Sequence, residues 1–146
     1  MPKVDDAGTN PSNFGVQNPT ANGAESARMN GRWKMLWTDE QEVLFLVEKG
    51  LFWDPCLAVY QDFDVAEEKF GNIIEFDNES KFTVQSSFEP LGNRFDFKFQ
   101  TAQIKWRQFQ VPIPPVGAGW SEQIYLDDTF RMAKDSRGVL LIVQKQ

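Results

Sequence analysis

Histidine is absent from the sequence. That removes the usual general base at neutral pH, the commonest side-chain metal ligand and the Ser-His and Cys-His nucleophile pairs. Cysteine is nearly absent. Cys56 stands alone, so it has no internal disulfide partner and the fold does not depend on an oxidising compartment. Its neighbours Asp54 and Pro55 supply no cation, the nearest being Lys49, which favours a buried thiol over a reactive one. Positive charge is scarce as well. The net charge of −6 disfavours a nucleic-acid backbone as partner, and equally an electrostatic grip on anionic membrane. No apolar run approaches the roughly 20 residues of a transmembrane span. A Gly-rich phosphate loop and a metal-ligand cluster are both missing. The expectation is therefore no catalytic residues, no metal and no enzyme. No signal or transit pattern opens the chain, which by itself suggests a cytosolic or already processed protein.

Aromatic surface is what the chain has in quantity: 13 Phe and 5 Trp, against 2 Tyr, in 146 residues. Such a length gives one domain with appendages and a real core, and the rings need that core, a cavity or an apolar partner. They are unevenly spread. Residues 1–28 hold one aromatic, Phe14, among Asn, Gly, Pro, Ser, Thr and Ala. A segment of that composition buries too little to offset an ordering cost of about 1–2 kcal/mol per residue. It is expected to be a low-complexity arm that orders on a partner, with the domain proper at residues 29–146.

The domain opens on Gly31-Arg32-Trp33-Lys34-Met35-Leu36-Trp37-Thr38. Trp33, Met35 and Trp37 alternate with mostly polar residues, the pattern of a half-buried strand with both tryptophans inward. Residues 38–50 read as a short helix, capped by Thr38 or Asp39 and closed at Gly50. Its centre, Val43-Leu44-Phe45-Leu46-Val47, is apolar almost all round, which suits burial over an open barrel end. A lipid interface and a buried strand are the alternatives. An aromatic turn at residues 51–55 follows, then strand-like alternations through Val59, Ile74, Phe82 and Phe95-x-Phe97-x-Phe99. The apolar phase slips by one near Thr101, as at a β-bulge or barrel corner. Residues 111–120, with three prolines, read as a loop or lid. About eight short strands with no second helix predict an up-and-down antiparallel barrel. Its interior would hold one small ligand or be filled by side chains.

Longer stretches resemble a known family. Gly31-x-Trp33 with Arg131 is similar to the lipocalin-type barrel, where a cation over the tryptophan closes one end, a contact worth up to about 2 kcal/mol. The block from Asn30 to Thr38, then Val59-Tyr60-Gln61-Asp62-Phe63-Asp64 and Gly71-Asn72-Ile73-Ile74-Glu75-Phe76, resembles plastid lipid-associated proteins, or fibrillins. So do Ile124-Tyr125-Leu126-Asp127-Asp128-Thr129-Phe130-Arg131 and Asp135-Ser136-Arg137-Gly138 near the end. This resemblance implies an eight-stranded lipocalin-like β-barrel with one short helix and an N-terminal tail. It also implies a non-enzymatic protein of the plastid, peripheral to the thylakoid or plastoglobule. No cofactor is implied as required, though a lipid, carotenoid or quinone would suit the lumen. The alternative is an accessory subunit of a photosynthetic membrane complex, docked through the arm and loop aromatics. Trp33, Trp37, Phe82, Phe95, Phe97, Phe99, Tyr125 and Arg131 are the candidates for ligand contact or barrel closure. Phe14, Phe52, Trp53 and Trp120 are the candidates for a partner or membrane. Asp127 and Asp128 point to opposite faces of a strand, so pairing of one with Arg131 or Lys134 is expected rather than shared acid chemistry.

Overall fold

A computed structural model describes residues 17–146. Phe14 and the rest of residues 1–16 lie outside the described residues. Ten strands form one antiparallel sheet: β1 Gly31–Thr38, β2 Cys56–Asp64, β3 Lys69–Phe76, β4 Lys81–Ser87, β5 Glu89–Leu91, β6 Arg94–Trp106, β7 Phe109–Ile113, β8 Ala118–Leu126, β9 Phe130–Asp135 and β10 Leu140–Lys145. Eight of them close a barrel in the order β4-β3-β2-β1-β10-β9-β8-β6, with β6 returning to β4. The small β5 and β7 pair only with β6, outside that circuit. The eight-stranded barrel is thus observed, and its edges are removed by closure.

The strand β6 explains how the circuit closes. Its first residues pair with β8, from Arg94 opposite Glu122 to Lys98 opposite Ala118. From Phe99 onward it pairs with β4, and the register jumps at Gln100, Gln85 facing Thr101 while Ser86 faces Phe99. One extra residue bends the strand and turns its inner face by one position, which is the phase slip visible near Thr101. The proline-rich segment is a loop only in part. Pro112 sits inside β7, an edge strand where the missing N–H does no harm, and Trp120 lies within β8.

A second bulge corrects the expectation for Trp37. On β1, Met35 faces Val143 but Trp37 faces Ile142, so Leu36 is the unpaired extra residue. The inner position passes from Trp37 to Thr38, which is buried, while Trp37 is 49% exposed. A period-2 pattern cannot reveal this, since one inserted residue exchanges the two faces.

The helix α1, Gln41–Lys49, covers one end of the barrel. Val43 and Leu46 pack on Val59, Ile74 and Phe76. Leu44, Phe45 and Val47 remain exposed, so the helix is not buried all round as its composition suggested. The opposite end is sealed. There Trp33, Phe63, Phe70, Phe88, Phe95, Leu126 and Val143 form the main core with Ala24 and Met29. Those last two come from short 3₁₀ turns at Gly23–Glu25 and Ala27–Met29. Residues 17–29 therefore lie against the chain's own barrel. Thr20 Oγ1 donates to the Leu126 carbonyl at 2.6 Å, and Ala24 N–H donates to Gly92 O at 3.1 Å. Within residues 17–28 the expected docking on a separate partner gives way to packing on the barrel floor, where Gly23 and Ala24 are small enough to fit.

Candidate functional site

The floor of the barrel is built around Trp33 and Arg131. Both are almost fully buried. The indole Nε1 donates to Met29 O at 2.9 Å, tying the N-terminal turns to the barrel. The Arg131 guanidinium lies 5.2 Å from the Trp33 ring and 4.8 Å from Phe63, and Lys145 Nζ lies 4.6 Å from the same indole. Burial pulls the Arg131 guanidinium down to about 9, which leaves it cationic at neutral pH. It meets no carboxylate among the described residues. Its two Nη groups donate instead to two amides, Nη1 to Gln123 Oε1 at 2.9 Å and Nη2 to Gln61 Oε1, while the buried Nε has no partner among the described residues.

The aspartates expected near it are used elsewhere. Asp127 caps its own turn, accepting from the backbone of Thr129 and Phe130 and from the Tyr125 hydroxyl at 2.6 Å. Asp128 pairs with Arg28 at 3.1 Å. Tyr125 thus braces the turn between β8 and β9 and does not reach the lumen.

Above the floor the barrel is hollow. A cavity of about 400 Å³ runs toward the α1 end, lined mainly by apolar side chains that include Ile74, Phe82, Val84, Phe95, Phe97 and Phe99. The phenylalanines divide the work. Phe88 and Phe95 are fully packed, Phe95 at the boundary of floor and cavity, whereas Phe82, Phe97 and Phe99 are only partly buried and form wall. Phe97 and Phe99 stack at 5.8 Å along that wall. Two glycines opposite make room for them. A Cβ on Gly117, whose φ is +151°, would stand 2.6 Å from the Phe99 ring, and one on Gly119 would stand 3.1 Å from Phe97.

The cavity wall carries a few polar groups. Gln61 Nε2 donates to Asn72 Oδ1 at 3.1 Å, and Gln123 Nε2 donates to Ser121 Oγ at 3.2 Å; Gln61, Asn72 and Ser121 all line the space. At the mouth Arg137 bridges Glu40 at 3.2 Å, Glu42 at 3.4 Å and Asp135 at 3.4 Å, fastening α1 to the turn between β9 and β10. Burial raises the Glu40 carboxyl above its ordinary range, and Arg137 opposes that shift.

Around the same end lies an apolar rim. Phe45 is 60% exposed, Phe52 63% and Trp53 83%; the Phe52 ring sits 5.1 Å from Trp106. This loop is held by Asp54, a buried carboxylate that accepts from Asn78 Nδ2 at 2.9 Å, Ser80 Oγ at 2.7 Å and Arg107 at 3.2 Å. Asp54 and Gln123 were not singled out from the sequence: the partners of Asp54 stand 24 to 53 residues away, and Gln123 gains its role only because the same guanidinium also meets Gln61, 70 residues from Arg131. Trp120, expected at a partner surface, is half-buried under Arg94, 4.5 Å from its ring. Cys56 is partly covered and burial raises its thiol, so it is no activated nucleophile. Among the described residues no cluster of three or more His, Cys, Asp or Glu is placed to hold a metal, and no helix is long and apolar enough to cross a membrane.

A closed eight-stranded barrel with a tryptophan–arginine floor and a hollow apolar upper half is a lipocalin-like barrel. Comparison with known sequences takes this one step further. The PAP_fibrillin family model matches residues 12–144, and the chain belongs to that family. The chain is 38% identical over 119 residues to the probable plastid-lipid-associated protein 11, chloroplastic, of Arabidopsis thaliana. The matched stretch is 80% of this chain and 56% of that protein, so the chain spans little more than half its relative's length. No solved structure matches the chain.

Proposed function

We propose that this protein is a non-enzymatic plastid lipid-associated barrel that carries one single-chain lipid in its lumen. In this reading its mouth rests against a lipid surface at the thylakoid or plastoglobule. The observation that carries the proposal is the cavity. Its volume of about 400 Å³ falls at the lower end of the roughly 300–1,000 Å³ typical of small-molecule sites, and its lining is mainly apolar. Family membership and the printed name of the Arabidopsis relative support the plastid and lipid parts of the reading.

The floor rings fill the lower half, so the space suits one acyl or prenyl chain or a quinone ring better than a full-length carotenoid. The rim supplies the surface. Phe45, Phe52 and Trp53 project beside the mouth, and a net charge of −6 favours uncharged or zwitterionic headgroups over anionic ones. The photosynthetic-complex alternative gains nothing, since from residue 17 onward the arm it relied on packs on its own barrel. The test is to incubate purified protein with a plastid lipid extract, repurify it, and identify what it retains by mass spectrometry. One single-chain hydrophobic molecule per chain is expected. Recovery of none, or of a non-stoichiometric mixture of bilayer lipids, would remove the lumen reading.

A further inference from the structure

We infer that the lumen binds its ligand polar end first, and that this end is a carboxylate received by Asn72 and Ser121. The inference rests on the proposed lumen function and adds the chemical class and orientation of the occupant.

Arg131 sets the orientation of the polar groups around it. Arginine can only donate hydrogen bonds, so each amide that meets it must offer its oxygen. Gln61 therefore turns Oε1 to Arg131 and its NH₂ to Asn72, whose Oδ1 accepts. That leaves the Asn72 Nδ2 donors on the cavity side, with no acceptor among the described residues. The second branch runs the same way. Gln123 turns Oε1 to Arg131 and its NH₂ to Ser121 Oγ. With its oxygen accepting from Gln123, the Ser121 hydroxyl is left to donate. The orientation of all four groups thus follows from one buried cation and needs no assignment of amide flips.

Two relays from one guanidinium therefore end as two donors in an apolar lumen, on strands β3 and β8. Among the described residues the cation behind them meets no carboxylate, and each link of such a chain is polarised in the direction that strengthens the last donor. A carboxylate, with two acceptor oxygens and the compensating charge, is the group this arrangement receives. The mouth argues for the same direction of entry. It holds three carboxylates, Glu40, Glu42 and Asp135, against the single Arg137, so an anionic head left there would meet net negative charge.

The test uses the full chain and three probes with the same tail: oleate, oleyl alcohol and oleylamine, each titrated by calorimetry. Oleate is expected to bind about tenfold or more tightly than the alcohol, as a charge-assisted hydrogen bond warrants, with the amine weakest. Asn72→Asp and Ser121→Ala should each remove about tenfold from oleate while changing the alcohol less, and Asn72→Asp should bring the amine above oleate. Equal binding of the three probes, or an oleate preference that both variants leave intact, overturns the inference while the lumen reading stands. Failure of all three probes to bind overturns both.

Discussion

Arg131 is the residue on which floor and lumen both depend. Its cation packs on Trp33 and Phe63 below and orients Gln61 and Gln123 above, so one side chain closes the barrel and sets the polarity of its interior. Trp33 bears the packing side of that arrangement. Trp33→Ala should cost about 3–5 kcal/mol in a urea melt, as large aromatic deletions in packed cores do. Two carboxylates at the α1 end carry pH dependences of opposite sign. Asp54 is held below its ordinary value by hydrogen bonds from Asn78 and Ser80, with Arg107 adding to them. Its contribution is present above the ordinary carboxylate range and is lost as pH falls through the lowered value. Glu40 is raised by burial, so the folded state binds that proton more tightly and the contribution of Glu40 grows as pH falls through the carboxylate range. Melting temperatures followed from neutral pH to about pH 3 should therefore converge for wild type and Asp54→Asn, and should lose the acid-side gain in Glu40→Gln.

At the scale of elements, what the sequence made legible was alternation. The strands around Val59, Ile74, Phe82 and Phe95 stand where their patterns put them, and the bend of β6 at Gln100 appears in the pattern as a slip. What stayed hidden was each bulge that leaves the pattern looking regular. Leu36 is apolar like its neighbours, so nothing in β1 announced that Thr38 rather than Trp37 would turn inward. The candidate site was half legible for a related reason. Aromatic wall residues declare themselves by type, whereas Gln61, Asn72, Gln123 and Ser121, on β2, β3 and β8, acquire their meaning only when Arg131 of β9 orients them. The proline-rich segment hid a structural device of β8. Gly119 faces Phe97 across the pair β6–β8, and a Cβ there would also stand 2.5 Å from Ser136 Oγ. Gly119→Ala should push the Phe97 ring into the lumen. Ligand affinity is expected to fall severalfold with a stability loss of about 1–3 kcal/mol from overpacking, measured by titration and thermal melt of the same sample.

Taken as a whole molecule, the barrel is asymmetric along its axis. One end is packed solid by rings and by the turns at Gly23–Glu25 and Ala27–Met29; the other is hollow and bordered by exposed Phe45, Phe52 and Trp53. That polarity suits the proposed contact of one end with a lipid surface. Replacing Phe45, Phe52 and Trp53 together by serine should abolish co-flotation with phosphatidylcholine vesicles. These side chains are already exposed, so the fold should hold, as far-UV circular dichroism would report. The central claim, a single-chain lipid inside the barrel, is tested most directly by native mass spectrometry of protein loaded with oleate, wild type beside Ala133→Leu. Ala133 lines the cavity, and the larger side chain there takes up the space a chain would occupy. A one-to-one adduct is expected on the wild-type protein and is lost in the folded variant. An adduct carried equally by both proteins, or by neither, would contradict it.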